Sequence, residues 1–424
     1  MKLLIKNINV ITPEGTCINN GYIGIDGDRI VYISDKAPEK SLFDNAEIMD
    51  GKDGIAMPGL VNAHTHSAMT LLRNYANDMP LEKWLFENII PREGQLTGED
   101  IYRGALLGIA EMIKSGTTTF ADMYLHMDEI ARAVTETGIR ANLSRGPITS
   151  GVRGNGLTVD TNAYLDYKKR WDNSADGRIK VCMEIHSVYL FDEPSIREAA
   201  SLAKSTNSRI HIHLSETKNE LETSIGKYGL KPIEACEKFG VFEVPVIAAH
   251  CVHLGDDEIN ILKKYNVNPV HNPSSNLKLG SGVARIPEML EKGLNVCLGT
   301  DGAASNNNLD MMEEMHIASL LHKGVNLDPL CVSAGDTIKM ATANGARALG
   351  FSDTGILKEG MKADIIILDT NKVHLRPLYN PQAAAVYSAQ GSDVDTVIVN
   401  GKLLMKDREL LTIDEEKLLS YFRK

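Results

Sequence analysis

From about Gly59 to Gly350 the chain alternates apolar, β-rich runs with helix-like stretches, and this alternation constrains its fold more than any other feature. Eight runs are readable: "GLVNAHTH", "TTTFADM", "RANLSRG", "RIKVCMEIHS", "RIHIHLSE", "VIAAHCVH", "VNPVHNP" and "NVCLGTD". Stretches between them, such as "GEDIYRGALLGIAEMIKSG" and "EPSIREAASLAKSTN", have helical apolar spacing, acidic first turns and Gly or Asn stops, as crossover helices should. Eight such units predict an α/β fold, a (β/α)8 TIM-type barrel of about 250 residues. A chain of 424 residues leaves room for a smaller domain, and its texture is readable at both ends. "GYIGIDGDRIVYIS" sets Asp26-Gly27 between alternating apolar residues, and "VDTVIVNGKLLMKDREL" does the same with Asn400-Gly401, each a two-residue hairpin signal. The expected organisation is a composite β-sandwich from residues 1–57 and 352–424, flanking a catalytic barrel at 58–351.

The formal charge of -11, with no Lys/Arg-rich run, argues against nucleic acid or an anionic membrane as partner and favours a small molecule. Cys17, Cys182, Cys236, Cys251, Cys297 and Cys331 form no Cys-x-x-Cys pair, which fits reduced thiols and encodes no zinc ribbon. No segment approaches about 18 uninterrupted apolar residues, and "MKLLIKNINVITPEG" is too weakly apolar for a signal peptide. A cytoplasmic protein is expected.

Most of the eight runs end in polar or ionisable residues: His64 and His66, Asp122, Arg145, His186, His213 and Glu216, His250, His271, Asp301. In such barrels the C-terminal strand ends and the following loops build the active site, so these side chains should converge on one mouth. Residues two apart on a strand share a face, so His64 and His66 can offer two nitrogens to one ion. Alone, the pair fits equally well two rings hydrogen-bonded at a strand end. Adding His213 and Asp301 makes three imidazoles and a carboxylate, a donor set for Zn2+ or Fe2+ with room for water. His211 shares a face with His213; His213 is preferred because it lies nearer the strand's C-terminal end. Taken singly, Asp301 also reads as a cap for "GAASNNN".

The motifs "MPGLVNAHTH", "IHLSET", "AAHCVHL", "HNPSSNLKLGSG" and "LGTDGAASNNNLDMMEEM" resemble those of the amidohydrolase superfamily, in the branch of 5-methylthioadenosine/S-adenosylhomocysteine deaminases. The resemblance runs nearly end to end. It implies a barrel with a flanking β-sandwich, a homo-oligomer, and one divalent metal on His64, His66, His213 and Asp301. Zinc is the first expectation, with iron or manganese as alternatives. Binuclear relatives carry a carboxylated lysine near the end of strand four; here "CMEIHSVYL" offers His186 and no lysine, and Lys180 lies at the strand's other end, so a mononuclear site is implied.

The resemblance also implies roles. Asp301 would move the attacking water's proton to the departing amine, His250 would orient that water, and Glu216 would protonate a purine ring nitrogen. The bland alternatives are a core histidine at His250 and helix-terminus chemistry at Glu216, with Glu220 able to serve the helix in its place. His253 reads as structural. The long segment "LLRNYANDMPLEKWLFENIIPREGQLTGED" reads as a lid, with Glu93 on the ribose hydroxyls and Trp84 on the 5′ substituent; Phe86 reads as helix core. His186 matches a substrate-contacting histidine. Arg145 matches an arginine near the 5′ side, where it can take a carboxylate through two hydrogen bonds, or else pair with a lid carboxylate. Arg153, in "GPITSGVRGNGLTVD", is the candidate second arginine, and Val188 replaces a common proline.

The expected reaction is hydrolytic deamination of 5′-substituted adenosines (5′-methylthioadenosine, S-adenosylhomocysteine, adenosine or 5′-deoxyadenosine) to the inosine analogues and ammonia. The rivals are a mononuclear relative acting on guanine, a triazine or another aminated heterocycle, and a non-catalytic scaffold.

Overall fold

The computed structural model describes residues 2–13, 15–146 and 160–423. All eight runs become strands of one parallel sheet: β1 (Leu60–Thr65), β2 (Thr117–Met123), β3 (Arg140–Arg145), β4 (Ile179–Ile185), β5 (Ile210–Leu214), β6 (Val246–His250), β7 (Asn268–His271) and β8 (Cys297–Leu298). Each strand pairs with the next in the chain. The sheet curls until its ends meet: Asp301 N–H donates to His64 O at 2.9 Å, and Thr300 N–H to Asn62 Oδ1 at 3.0 Å. Gly299 makes this closure possible, because a Cβ there would stand 2.8 Å from His64 N. The barrel is of the expected TIM type.

Its interior is filled by small and medium side chains such as Val61, Ala63, Ala121, Ile247 and Val270. The opposite face of the strands, with Phe120, Leu143, Met183 and Ile212, packs beneath the helices. Those helices begin where the sequence provides caps. Thr97 and Asp100 form a reciprocal capping box for Gly98–Lys114, Asp192 caps Glu193–Ser205, and Gly138 ends Met127–Thr137 with φ 86°. No helix among the described residues is long and apolar enough to cross a membrane.

The second sheet has nine strands and draws on both chain ends, with Ile365–Leu368 antiparallel to Ile55–Pro58 (Ile366 opposite Met57). The Asn400-Gly401 hairpin forms as expected: Val399 pairs with Lys402, and both loop residues have positive φ, 51° and 71°. The earlier hairpin is displaced by one residue. Asp26 pairs with Arg29, so the loop is Gly27-Asp28, and Gly27 takes the left-handed first loop position at φ 62°. Gly59 carries the chain from this sheet into β1, where a Cβ would stand 2.1 Å from Thr118 Oγ1. At the barrel's base Arg140 donates to both carboxylate oxygens of Asp364, at 2.8 and 3.0 Å, joining β3 to the second sheet.

Candidate metal centre and active-site cleft

Three imidazoles and a carboxylate meet at the C-terminal mouth. His64 Nε2 and His66 Nε2 lie 3.4 and 3.2 Å from Asp301 Oδ1, and His213 Nε2 lies 3.3 Å from His66 Nε2. His64, His66 and Asp301 each offer one donor atom within 4.8 Å of the others, as do His64, His213 and His250. The far side of each ring decides what the near side presents. His66 Nδ1 is 2.5 Å from Met123 O, and His213 Nδ1 is 2.9 Å from His186 O. A carbonyl only accepts, so both rings carry their proton on Nδ1, and as neutral imidazoles they would face each other with bare Nε2 lone pairs. Two lone pairs cannot bond each other; a cation between them satisfies both.

His64 fits the same logic. Its buried Nε2 has no hydrogen-bond partner, while its Nδ1 meets His211 Nε2 at 2.8 Å and His211 Nδ1 in turn meets Ser144 Oγ at 2.8 Å. His211 thus stands behind His64, and His213 points into the cluster. Such outer partners fix a ligand ring's tautomer and orientation. Burial opposes charge on His66, yet Asp301 and the Met123 carbonyl raise its pKa to about 9. Burial holds His64 down at about 4 and His213 well below the ordinary histidine range. Despite burial, His64 and His66 keep Asp301 well below the ordinary aspartate range. The cluster therefore demands positive charge, held as a proton on His66 or supplied by a metal ion that displaces it. Lys180 reaches away to Asn173 at 2.7 Å, so it does not join the site.

The backbone is strained where these groups project. His250 and Asp301 have φ of 73° and 63°, in the left-handed region that non-glycine residues rarely adopt, and Ser215 and Cys251 do likewise beside them. Asp301 Oδ2 accepts from Ser275 Oγ at 2.6 Å and Ser305 Oγ at 2.9 Å. His250 Nδ1 donates to Asn276 Oδ1 at 2.8 Å, and its Nε2 faces Glu216 Oε2 at 3.7 Å. Burial pushes the Glu216 carboxyl up from the usual glutamate range, and Ser281 Oγ donates to it at 3.1 Å. His253 braces Ser281 through its carbonyl at 2.7 Å. Glu220 accepts from Ser215 N and Glu216 N at 2.9 and 2.7 Å, which holds the loop carrying Glu216.

Beside the cluster opens a cleft of about 240 Å3. His66, His213, Asp301 and Glu216 form its floor, and Glu93, Arg145, His186 and Trp84 line its walls. Trp84, within the lid segment Lys83–Ile89, packs with Met69 and Leu72 in a small apolar cluster. Phe86 departs from expectation: it is 43% exposed, because it projects from the outer face of that turn. Burial raises the Glu93 carboxyl, which faces the Tyr124 hydroxyl. Burial also keeps His186 neutral, near 3. Arg145 makes no ion pair with any described residue, lid carboxylates included, and its buried Nε is unpartnered. Arg153 lies outside the described residues. Sequence reading missed Glu184, Tyr124, Ser275 and Asn276. Glu184 was detectable as a lone carboxylate two residues before His186 on a strand otherwise apolar at that end.

A closed parallel barrel with a His/Asp cluster and a cleft at its C-terminal mouth defines the class of barrel hydrolases with a metal site. Within that class the chain belongs to the amidohydrolase family, whose model matches residues 55–404. It is 57% identical over 421 residues to the 5-methylthioadenosine/S-adenosylhomocysteine deaminase of Acetivibrio thermocellus, covering 99% of this chain and 97% of that protein. The crystal structure of an adenosine deaminase from Xanthomonas campestris with bound zinc superposes with a TM-score of 0.92 at 31% identity, covering 99% of this chain and 96% of that one. An atrazine chlorohydrolase from Arthrobacter aurescens complexed with zinc superposes with a TM-score of 0.92 at 25% identity, covering 99% and 98%.

Proposed function

We propose that the chain is a mononuclear metal-dependent hydrolase that deaminates 5′-substituted adenosines, 5′-methylthioadenosine and S-adenosylhomocysteine foremost, to the inosine analogues and ammonia. The observation that carries this reading is the buried Glu216 carboxyl, its proton affinity raised by burial, 3.7 Å from His250 and beside the His/Asp cluster. A carboxylic acid in that position can give a proton to a ring nitrogen.

His64, His66, His213 and Asp301 would hold the ion. Zinc is proposed, supported by the zinc described in both solved neighbours, with iron or manganese as alternatives. When bound, a divalent ion supplies Lewis acidity that makes hydroxide available near neutral pH. Asp301 accepts the water's proton and later passes it to the leaving amine. His250, its Nδ1 fixed by Asn276, aligns the attacking water through Nε2. Glu216 protonates the ring nitrogen as a C–O bond forms at C6; the C–N bond to the amine then breaks and ammonia departs. Glu93 takes the ribose hydroxyls, His186 the nucleoside, and Trp84 the 5′ side.

Triazine or guanine chemistry is the weaker reading, since likeness to the atrazine enzyme is 25% against 57% for the nucleoside deaminase. A non-catalytic scaffold would have no need of such a donor cluster with a strained backbone at its carboxylate ligand Asp301. The test is ammonia release by the zinc-loaded protein across 5′-methylthioadenosine, S-adenosylhomocysteine, adenosine and 5′-deoxyadenosine, with guanine and atrazine as controls. Turnover of the first two is expected; turnover confined to a control would overturn the proposal.

A further inference from the structure

Arg145 ends β3 and Glu184 sits on the neighbouring β4, where Arg145 pairs in register with Met183. Both side chains line the cleft. Neither forms an ion pair among the described residues. Arg145 forms no hydrogen bond or ion pair with a described residue, and its Nε is buried without a partner. The Glu184 carboxylate rests against Gly146, so closely that a Cβ there would stand 3.0 Å from Glu184 Oε2; it forms no ion pair among the described residues. Burial raises the Glu184 carboxyl to about 7, opposed by the His66 and Arg145 charges and a Gly146 backbone hydrogen bond, and Arg145 and Glu184 do not close into a salt bridge.

Unlike charges that serve only the fold normally pair, because an unpaired buried charge is costly. Two ionisable groups of opposite kind, neighbours on a ligand cavity and not bridged to each other, suit a ligand carrying both complementary charges. An α-amino acid end has them one carbon apart. A methylthio group has neither and would rest on the apolar wall of Trp84, Leu85 and Ile90. A lone arginine would take any anion, including a 5′-phosphate; the carboxylate beside it repels an anion that brings no cation.

We infer that Glu184 receives the ammonium of an amino-acid-bearing nucleoside whose carboxylate meets the Arg145 guanidinium that the family resemblance already assigns to it. This rests on the proposed deaminase function and names the residue that separates its two principal substrates.

The experiment compares wild type and Glu184→Gln on S-adenosylhomocysteine, on its analogue lacking only the amino group, and on 5′-methylthioadenosine. Wild type should favour S-adenosylhomocysteine over the des-amino analogue by roughly 10- to 100-fold in kcat/KM, and E184Q should erase that preference, mainly through KM, with methylthioadenosine changed less than about threefold. Equal wild-type rates on the two tails would overturn the inference, as would a parallel fall on S-adenosylhomocysteine and methylthioadenosine in E184Q. If wild type deaminates none of the three, the deaminase reading falls with it; if it deaminates them without this selectivity, only the inference about Glu184 falls.

Discussion

At the base of the barrel Arg140 holds Asp364 at 2.8 and 3.0 Å; at the mouth Asp301 faces His64 and His66 at 3.4 and 3.2 Å. Both groups are buried, and both combine a carboxylate with nitrogen donors. They differ in what is left over. Asp364 also accepts the Asn400 backbone N–H at 2.7 Å, so the base cluster is neutral and satisfied from within and ties the hairpin to the barrel. At the mouth, His64 Nε2 is orphaned and His66 and His213 set nitrogen against nitrogen. The mouth also holds the strained residues, with His250 and Asp301 in left-handed conformations. One end of the barrel spends buried charge on holding two sheets together; the other is incomplete without a cation and is organised for chemistry.

Substitutions at the two ends should therefore fail in different ways. The largest effect is expected of His213→Ala, which should abolish metal retention and bring deamination to background while the chain stays folded, read by metal content and circular dichroism. Asp301→Asn should lower kcat by about 10²- to 10⁴-fold, since it removes a proton carrier and weakens the donor set. Asp364→Ala should do the reverse: a loss of about 3–5 kcal/mol in denaturant unfolding, from an unpaired buried arginine, with the metal still bound in the folded fraction. Equal metal loss in D364A and H213A would erase the distinction. His211→Ala lies between these behaviours, leaving His64 Nδ1 without its partner; metal affinity should fall about 10- to 100-fold, measured by chelator competition.

The smallest effect concerns the first turn of the helix Met311–Asn326, beyond the loop after β8. Glu314 accepts from Asn306 and Ser274 there, and burial raises its pKa from 4.5 to about 8. The folded state thus holds this proton more tightly than the unfolded chain does. Its contribution to stability is complete below pH 4.5 and is lost as the pH rises through about 8, with a slope of at most about 1.4 kcal/mol per pH unit. Glu314→Gln should flatten that decline in pH-dependent unfolding curves.

Much of the fold was legible because its signals are periodic and local. Every barrel strand coincides with an apolar run, and Asn400-Gly401 turns where a dipeptide with two left-handed residues must. The Gly27 hairpin slipped by one residue because turn type depends on which loop position the glycine takes, a matter settled by strand twist and pairing. At the mouth, the ionisable strand ends pointed to convergence. What stayed hidden depends on which way a side chain faces. Phe86 reads as core by spacing and is exposed, whereas Glu184 reads as an ordinary strand carboxylate and faces the cleft. Asn276 and Ser275 lie in the loop after β7, and only the folded chain brings them to His250 and Asp301.

The most direct test of the contrast is the metal content of the purified protein by mass spectrometry. About one divalent ion per chain, stably retained, is the predicted result for a closed His₃Asp donor set. Two ions per chain, or none retained by folded protein after metal loading, would contradict it.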